Sequence, residues 1–187
     1  EAEFDMFILL LAVAGNETTR NATAHGMHAL LTNPDQLAHL RAHPSDPAVL
    51  EPAVEEIVRW ATPVLYFRRQ AMKELPLRDK VLRPGDKVVM WHISANRDEE
   101  VFEDPYRFDV TRSPNDHVGF GGGGAHFCLG ANLARMELRL IFGELAERMG
   151  SMELADEPER LRSNFIGGIK HMPVRFTPGP RRHPIVA

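Results

Sequence analysis

The residue best suited to chemistry in this chain is Cys128, the single cysteine among 187 residues. A lone cysteine cannot form a disulfide within its own chain, and in most proteins it is a small buried apolar residue. Here four consecutive glycines, at positions 121–124, precede it closely and remove nearly all side-chain bulk from the loop. The backbone of such a loop can lie against a large flat ligand. Cys128 is therefore a candidate metal ligand.

The residues after Cys128 predict a helix. Apolar side chains recur at spacings of four, three and four residues, the stripe of an amphipathic helix, at Leu129, Leu133, Met136 and Leu140. Cys128 is then expected at a helix N-terminus, where the macrodipole and the free N–H groups favour a thiolate. A thiolate on a glycine-lined loop is suited to be the axial ligand of haem iron, to which it donates electron density.

A second candidate site lies inside the first predicted helix, where residues 15–19 read Gly-Asn-Glu-Thr-Thr. Glycine inside a helix costs about 1 kcal/mol relative to alanine. Threonine hydroxyls can donate to the carbonyl four residues earlier, so a local disturbance of the helix is expected. An ordinary helix interior made of poor helix formers could have the same sequence. The acid of Glu17 beside the hydroxyl of Thr18 also suits proton delivery by general-acid catalysis.

Hydrophobic periodicity, proline and glycine predict the elements that position these residues. Helices are predicted at about residues 4–31, 34–43, 48 or 52 to 60, and 129–149. Strands are predicted at 64–72 and 87–93, with a final hairpin at 165–176 around Gly167 and Gly168. Residues 96–115 are expected to form an irregular meander, and the tail from Thr177 to be mobile. The predicted fold class is mainly α with small β-sheets (α+β).

Residues 120–130 and the following Ala-Asn-Leu-Ala-Arg at 131–135 resemble the haem-binding loop and next helix of cytochrome P450 enzymes, most closely the soluble bacterial members. Phe120 lies eight residues before Cys128, one more than is usual in the family and similar to some bacterial branches. The resemblance covers nearly the whole chain but only the C-terminal half of the family's single domain. It implies that residues 1–187 are the C-terminal haem-thiolate part of that fold, a fragment without the N-terminal half.

The resemblance implies haem b (iron protoporphyrin IX) as cofactor and Cys128 as its metal ligand. The other loop residues implied to surround the haem are Phe120, Gly121, His126 and Gly130. His126 is the implied donor to a haem propionate, with an arginine of the predicted strand as its counterpart. Alternation along a strand sends Arg68 and Arg69 to opposite faces, so only one can serve, and we favour Arg69.

The same resemblance implies catalytic and structural roles for other residues. Thr18 would hydrogen-bond dioxygen or its relay water, and Glu17 would open the proton path from solvent. Glu56 and Arg59 resemble the family's Glu-x-x-Arg motif, with Arg107 as the third member of a buried triad that holds the thiolate loop. Considered alone, a glutamate and an arginine three residues apart on a helix are also what a surface ion pair looks like.

The implied reaction is monooxygenation: one atom of O2 enters a C–H bond of an apolar small molecule, and the other leaves as water. Electrons would come from a ferredoxin-type donor and its reductase, and ultimately from NAD(P)H. Apolar side chains are expected to line the substrate pocket at Leu10, Val13, Ala14, Val64, Leu65, Phe165, Ile166 and Ile169. They favour a lipid, sterol or terpenoid-like substrate. The 187 residues alone are expected to be inactive.

Composition and motif context argue against several other functions for this chain. A net charge of −4, a pI near 6.1 and no basic stripe argue against a nucleic-acid partner. The apolar run at 6–14 is far shorter than a membrane span and follows acidic residues, so no membrane anchor is expected in this segment. The single cysteine leaves no capacity for an internal disulfide, which suits a reducing cytosol, so a cytoplasmic location is favoured. Residues 119–124 literally match the dinucleotide motif Gly-x-Gly-x-x-Gly, but turn residues precede them where a strand is needed. A haem-thiolate sensing domain without oxygen activation is the other alternative, and the Glu17–Thr18 pair disfavours it.

Overall fold

The computed structural model describes residues 1–179 and is mainly helical. Its helices are α1 (Ala2–Thr32), α2 (Pro34–Ala42), α3 (Pro47–Ala61), α4 (His92–Ala95) and α5 (Ala131–Arg148). Its strands are β1 (Tyr66–Gln70), β2 (Leu75–Leu77), β3 (Lys80–Leu82), β4 (Lys87–Trp91), β5 (Met149–Leu154), β6 (Glu159–Arg160), β7 (Ile169–His171) and β8 (Val174–Pro178). The predicted fold class is confirmed. Residues 180–187, which hold most of the tail expected to be mobile, lie outside the described residues.

Prolines and a capping side chain set the ends of the first three helices. Helix α1 stops before Pro34, since the residue before a proline is disfavoured in the α region. The Asp46 carboxylate accepts a hydrogen bond from the Ala48 N–H at 2.9 Å and caps the start of α3. Thr62 ends α3 in the left-handed conformation, at φ 39°. The observed bounds therefore lie within a few residues of the predicted ones.

The hydrophobic core lies where α1, α3 and α5 meet. Leu30, Ile57 and Phe142, one from each helix, are fully buried there. A Cβ at Gly26 would lie 2.7 Å from both Ile57 Cγ2 and Phe142 Cζ, which is too close for any side chain. Glycine at this position of α1 therefore allows the three helices to pack in direct contact. These helices form the rigid support from which the loops extend.

The strands form four two-stranded antiparallel sheets at the edge of the helical core. β1 pairs with β4 and β2 with β3, so the strands predicted at 64–72 and 87–93 are present in shorter form. The predicted hairpin at 165–176 is wrong. β7 pairs with β6, and β8 pairs with β5, so neither strand pairs with the other. The partners of both strands precede residue 165, and period-two patterning cannot identify such a non-local partner.

Two helices keep large apolar faces in solvent. In the N-terminal half of α1 the exposed side chains are Phe4, Met6, Phe7, Ile8, Leu9, Leu10, Leu11 and Val13. In and just before α5 they are Leu129, Leu133, Met136 and Leu140, the residues that predicted this helix. The core is packed instead by the opposite face, through Leu138, Phe142 and Ala146. Among residues 1–179, no helix is both long and apolar enough to cross a membrane.

Candidate functional site

Cys128 lies in the loop that leads into α5 and presents an exposed free thiol. Its N–H donates to the Phe120 carbonyl at 2.9 Å, which closes the glycine segment into a tight loop. Its own carbonyl accepts the Ala131 N–H at 3.2 Å. Helix α5 begins at Ala131 with Gly130 as its N-cap, so Cys128 stands two residues before the cap. Both the N–H and the carbonyl of Cys128 are therefore hydrogen-bonded within the protein, while its side chain remains exposed.

Two different structural features account for the glycines of this loop: backbone conformation and open space beside the chain. Gly121, Gly123 and Gly124 have φ values of 95°, 97° and 76°, a region that side chains with a Cβ rarely adopt. Gly122 and Gly130 have no such conformation, and a Cβ built on either meets no atom within 4 Å. Nothing in the described chain therefore excludes a side chain at those two positions. An external body lying against the loop would exclude one, so the open face fits a large flat group such as haem.

The start of the loop is fixed by Phe120, whose ring packs against the core. The guanidinium carbon of Arg135 lies 4.4 Å from the centre of this ring, and the His117 ring lies 5.8 Å from it. The Gly119 N–H donates to His117 Nδ1 at 3.0 Å. Nδ1 is therefore an acceptor, so the ring proton is on Nε2 and can be donated to Glu55, 2.9 Å away.

Glu55 joins α3, α5 and the loop start through one carboxylate. Arg135 donates to both of its oxygens, from Nε at 2.6 Å and from an amino group at 2.9 Å. Burial alone would raise the pKa of Glu55, but the hydrogen bonds from Arg135 and His117 outweigh burial and lower this pKa to about 2. The pKa of Arg135 is raised, mainly by Glu55 and to a lesser degree by the charge of Cys128. The sequence analysis missed this cluster.

Glu56 and Arg59 form a completely buried ion pair, not a surface one. Arg59 Nε donates to Glu56 Oε2 at 2.7 Å, and an Arg59 amino group donates to Oε1 at 2.8 Å. Arg59 also donates to the carbonyls of Asn96 at 2.7 Å and Pro105 at 2.9 Å. Glu56 accepts the Asp109 N–H at 2.8 Å. Helix α3 thereby holds several turns of the meander that leads to the thiolate loop.

The third member of this buried cluster is Arg112, and the assignment of Arg107 is wrong. Arg112 Nε donates to Glu56 Oε2 at 3.2 Å, with 10% of its side chain exposed. The Arg107 side chain is 63% exposed and lies 3.8 Å from Asp109. Only the Arg107 carbonyl enters the cluster, as an acceptor from Arg59 and Arg112.

Asn96 links the buried cluster to the thiolate loop, and it too was missed. It is fully buried, and its amide nitrogen donates to Thr62 Oγ1 at 2.9 Å. Its amide oxygen accepts the Val118 N–H at 2.8 Å, immediately before Gly119. The meander thus ends in a fixed position at the point where the glycine loop starts. A buried asparagine between two loops has no periodic signal, so only the structure identifies it.

The acid–hydroxyl segment lies on an unbroken α1, so the expected disturbance of the helix is absent. Thr18 Oγ1 donates to the Ala14 carbonyl at 2.7 Å. Glu17 pairs with Arg20 at 2.8 Å, where both side chains are well exposed. The hydroxyl proton of Thr18 is thus used within the helix, which leaves the oxygen free to accept a hydrogen bond.

The other predicted residues fall into separate groups. Arg69 and His126 are both exposed, and neither pairs with a carboxylate within residues 1–179. Val64 bridges to Ile166, and the Leu65 N–H donates to the Phe165 carbonyl at 2.9 Å, so the backbones of these two predicted pocket segments are paired. Leu10, Val13 and Ala14 form an exposed apolar face on α1. Ile169 is buried at the start of β7, so it faces the core and not an open wall.

Comparison with known proteins identifies the class. A family model for cytochrome P450 matches residues 46–159, and the chain belongs to the cytochrome P450 family. It is 52% identical to a steroid C26-monooxygenase of Mycolicibacterium smegmatis and 54% identical to a methyl-branched lipid omega-hydroxylase of Mycobacterium tuberculosis, each over 94% of this chain. In both comparisons the chain spans about 40% of the relative's length.

Solved structures agree with this assignment. A cytochrome P450 of Mycobacterium marinum in complex with pseudoionone superposes with a TM-score of 0.87 at 50% identity, over 91% of this chain and 40% of that one. A cytochrome P450 of Bacillus megaterium in complex with corticosterone gives 0.85 at 36% identity, over 92% and 46%. The dinucleotide alternative is contradicted, because β4, the last strand before the glycine run within residues 1–179, already ends at Trp91.

The corrected cluster gives a stability prediction for the full-length protein. Arg112→Ala removes a buried partner of Glu56 and should lower the free energy of unfolding by about 2–3 kcal/mol. Arg107→Ala is the matched control and should change it by less than about 0.5 kcal/mol, because its side chain is in solvent. Urea denaturation followed by circular dichroism measures both. A larger loss from Arg107→Ala than from Arg112→Ala would restore the original assignment.

Proposed function

We propose that this chain supplies the haem-thiolate part of a monooxygenase that inserts one atom of O2 into a C–H bond of an apolar small molecule and releases the other atom as water. The observation that carries the proposal is the exposed Cys128 sulfur on a loop whose Gly122 and Gly130 face open space. The balance of the reaction requires two electrons and two protons for each O2. Haem b, when bound, supplies the redox-active iron for this chemistry.

The residues proposed to hold the haem come from three places in the chain. Cys128 would ligate the iron, and Phe120, Gly121 and Gly130 would shape the loop against the porphyrin. His126 and Arg69 would bind the propionates, since both are exposed and free of carboxylate partners within residues 1–179. Arginine donates in a fork that matches a carboxylate. The buried cluster of Glu56, Arg59 and Arg112 would keep the loop in position.

Glu17 and Thr18 would provide the protons. The Thr18 oxygen can accept a hydrogen bond from a water, because its own proton is donated to the Ala14 carbonyl. Within residues 1–179, Glu17 pairs with the exposed Arg20. Such surface pairs contribute about 0–1 kcal/mol, so the carboxylate can exchange partners with little cost. An acid that reaches solvent and stands next to an ordered hydroxyl is suited to proton delivery.

The substrate and the electron donor are inferred from apolar surface and from the relatives. The proposed wall of Val64, Leu65, Phe165 and Ile166, together with the exposed face of α1, favours a lipid, sterol or terpenoid-like substrate. Two relatives named above are a steroid C26-monooxygenase and a methyl-branched lipid omega-hydroxylase, which supports the same substrate classes. Electrons would come from NAD(P)H through a reductase and a ferredoxin-type donor.

Ligation by Cys128 can be tested by spectroscopy of the full-length protein. The reduced protein with carbon monoxide should show the absorption band that marks thiolate ligation. Cys128→His should abolish this band, because imidazole cannot supply the same electron density to iron. Arg139→Gln, which removes a partly exposed ion pair between α5 and Glu51 of α3, is the control and should keep the band. Persistence of the band in Cys128→His would refute the proposal.

The proposed proton path predicts a change in coupling. Thr18→Ala should leave the ferric spectrum almost unchanged but divert electrons to hydrogen peroxide, since protons would no longer reach the reacting oxygen. Product formed per NAD(P)H consumed is the quantity to measure. Thr19→Ala, the neighbouring threonine on another face of α1, is the control. An unchanged ratio in Thr18→Ala would favour a haem-thiolate domain that does not use this pair.

We also propose that residues 1–187 form the C-terminal part of a single, longer domain. The exposed apolar faces of α1 and α5 support this, because apolar surface left in water forfeits about 25 cal/mol for each Å². Expressed alone, these residues should aggregate or bind a hydrophobic dye, and should neither hold haem firmly nor catalyse. Dye binding and a thermal melt measure this. A cooperative melt with stoichiometric haem would contradict it.

A further inference from the structure

Two ion pairs cross between α3 and α5, and they differ in their surroundings. Arg139 donates to Glu51 at 2.6 Å, with 38% and 58% of the two side chains exposed. One helical turn away, Arg135 donates to Glu55 at 2.6 Å, with 31% and 27% exposed. Both pairs connect the same two helices. Only the Arg135 pair also touches the segment that carries the cysteine.

Arg135 contacts that segment through the flat face of its guanidinium. The guanidinium carbon lies 4.4 Å from the centre of the Phe120 ring, a distance at which cation–π attraction is effective. The two hydrogen bonds to Glu55 fix the plane of the guanidinium, and His117, which bonds to the same carboxylate, also lies near the Phe120 ring. Phe120 is therefore contacted by two residues that Glu55 holds. Its carbonyl in turn accepts the Cys128 N–H at 2.9 Å.

Arg135 also brings a positive charge to the start of the thiolate loop. Its guanidinium contacts the Phe120 ring, and the Phe120 carbonyl accepts the Cys128 N–H, so one residue connects the arginine to the cysteine. A positive charge favours a negative charge in its neighbourhood, such as that of a thiolate. The geometry therefore connects Arg135 to Cys128, and its charge has the sign that suits a thiolate.

We propose that Arg135, fixed by Glu55 and His117, is a positioning residue for the haem thiolate: it holds the Phe120 end of the loop and tunes the charge at Cys128. This inference rests on the proposed haem-thiolate function and deepens it. The two effects are separable, because lysine keeps the charge and loses the two-point fork and the flat face. A residue that only tethered α5 to α3 would have neither effect on the iron.

The test uses the full-length, haem-loaded protein and three variants: Arg135→Gln, Arg135→Lys and the control Arg139→Gln. The first quantity is the reduction potential of the haem iron. The second is the rate at which the reduced carbon monoxide complex loses its thiolate band in mild denaturant. Circular dichroism verifies that each variant is folded.

Arg135→Gln should lower the reduction potential, because the positive charge that favours the added electron is gone, and should speed loss of the band several-fold. Arg135→Lys should keep the potential near that of the unmodified protein while still losing the band faster. Arg139→Gln should change neither quantity. If Arg135→Gln does not fold, the comparison of Arg135→Lys with Arg139→Gln for the rate of band loss decides the question.

Equal effects of Arg135→Gln and Arg139→Gln would overturn the inference, because Arg135 would then only tether two helices. An Arg135→Gln protein with unchanged reduction potential and an unchanged rate of band loss would also overturn it. If Arg135→Gln does not fold, an Arg135→Lys protein that loses the thiolate band no faster than Arg139→Gln would overturn it as well. In each of these three cases the unmodified protein would still show the thiolate band, so the proposed function would stand. An unmodified protein without that band would refute the haem-thiolate function and this inference together.

Discussion

The architecture around the candidate site depends on one buried carboxylate, that of Glu56. A fully buried charge is costly unless its hydrogen-bonding capacity is satisfied, and Glu56 accepts from Arg59, Arg112, Asn115 and the Asp109 N–H. These partners come from α3 and from the long segment between β4 and the glycine loop. That segment has almost no regular structure, so its own backbone bonds cannot fix it. The Glu56 cluster provides the order that secondary structure does not.

The order is passed to Cys128 in two steps that use different chemistry. From the buried cluster, Asn96 holds the Val118 N–H and so fixes the entrance of the glycine loop. Beside it, the Glu55–Arg135 pair holds the Phe120 ring, whose backbone carbonyl binds the Cys128 N–H. The protein side of the loop is therefore held by hydrogen bonds and ring contacts, while its other side is glycine and open space. A preorganised ligand with an open face is what a large planar cofactor requires.

The long helices and the thiolate loop could be predicted from the sequence. The packing face of α5 and the side-chain clusters around the loop could not, for physical reasons. Proline positions and 3.6-residue periodicity predicted the long helices, because those signals are local. The stripe at Leu133 and Met136 predicted α5 but not which face packs on the core, since periodicity does not tell which of two apolar faces has a partner. Arg107 and Arg112 both lie in the irregular meander, and only Arg112 reaches the buried Glu56 with its side chain; an irregular segment has no periodic pattern from which this could be predicted. Glu55 and Arg135 lie 80 residues apart, so local sequence patterns do not show that they pair. The available signal was that Glu51 and Glu55 have the same four-residue spacing as Arg135 and Arg139, which suits two ion pairs between adjacent helices.

The most direct test of the central claim is a crystal structure of the full-length protein purified with its haem. It should show the iron bonded to the sulfur of Cys128, the glycine segment lying against the porphyrin, and Arg112, not Arg107, on Glu56. Iron bound by any other residue, with the Cys128 sulfur away from it, would contradict the claim that this loop is built to present a thiolate.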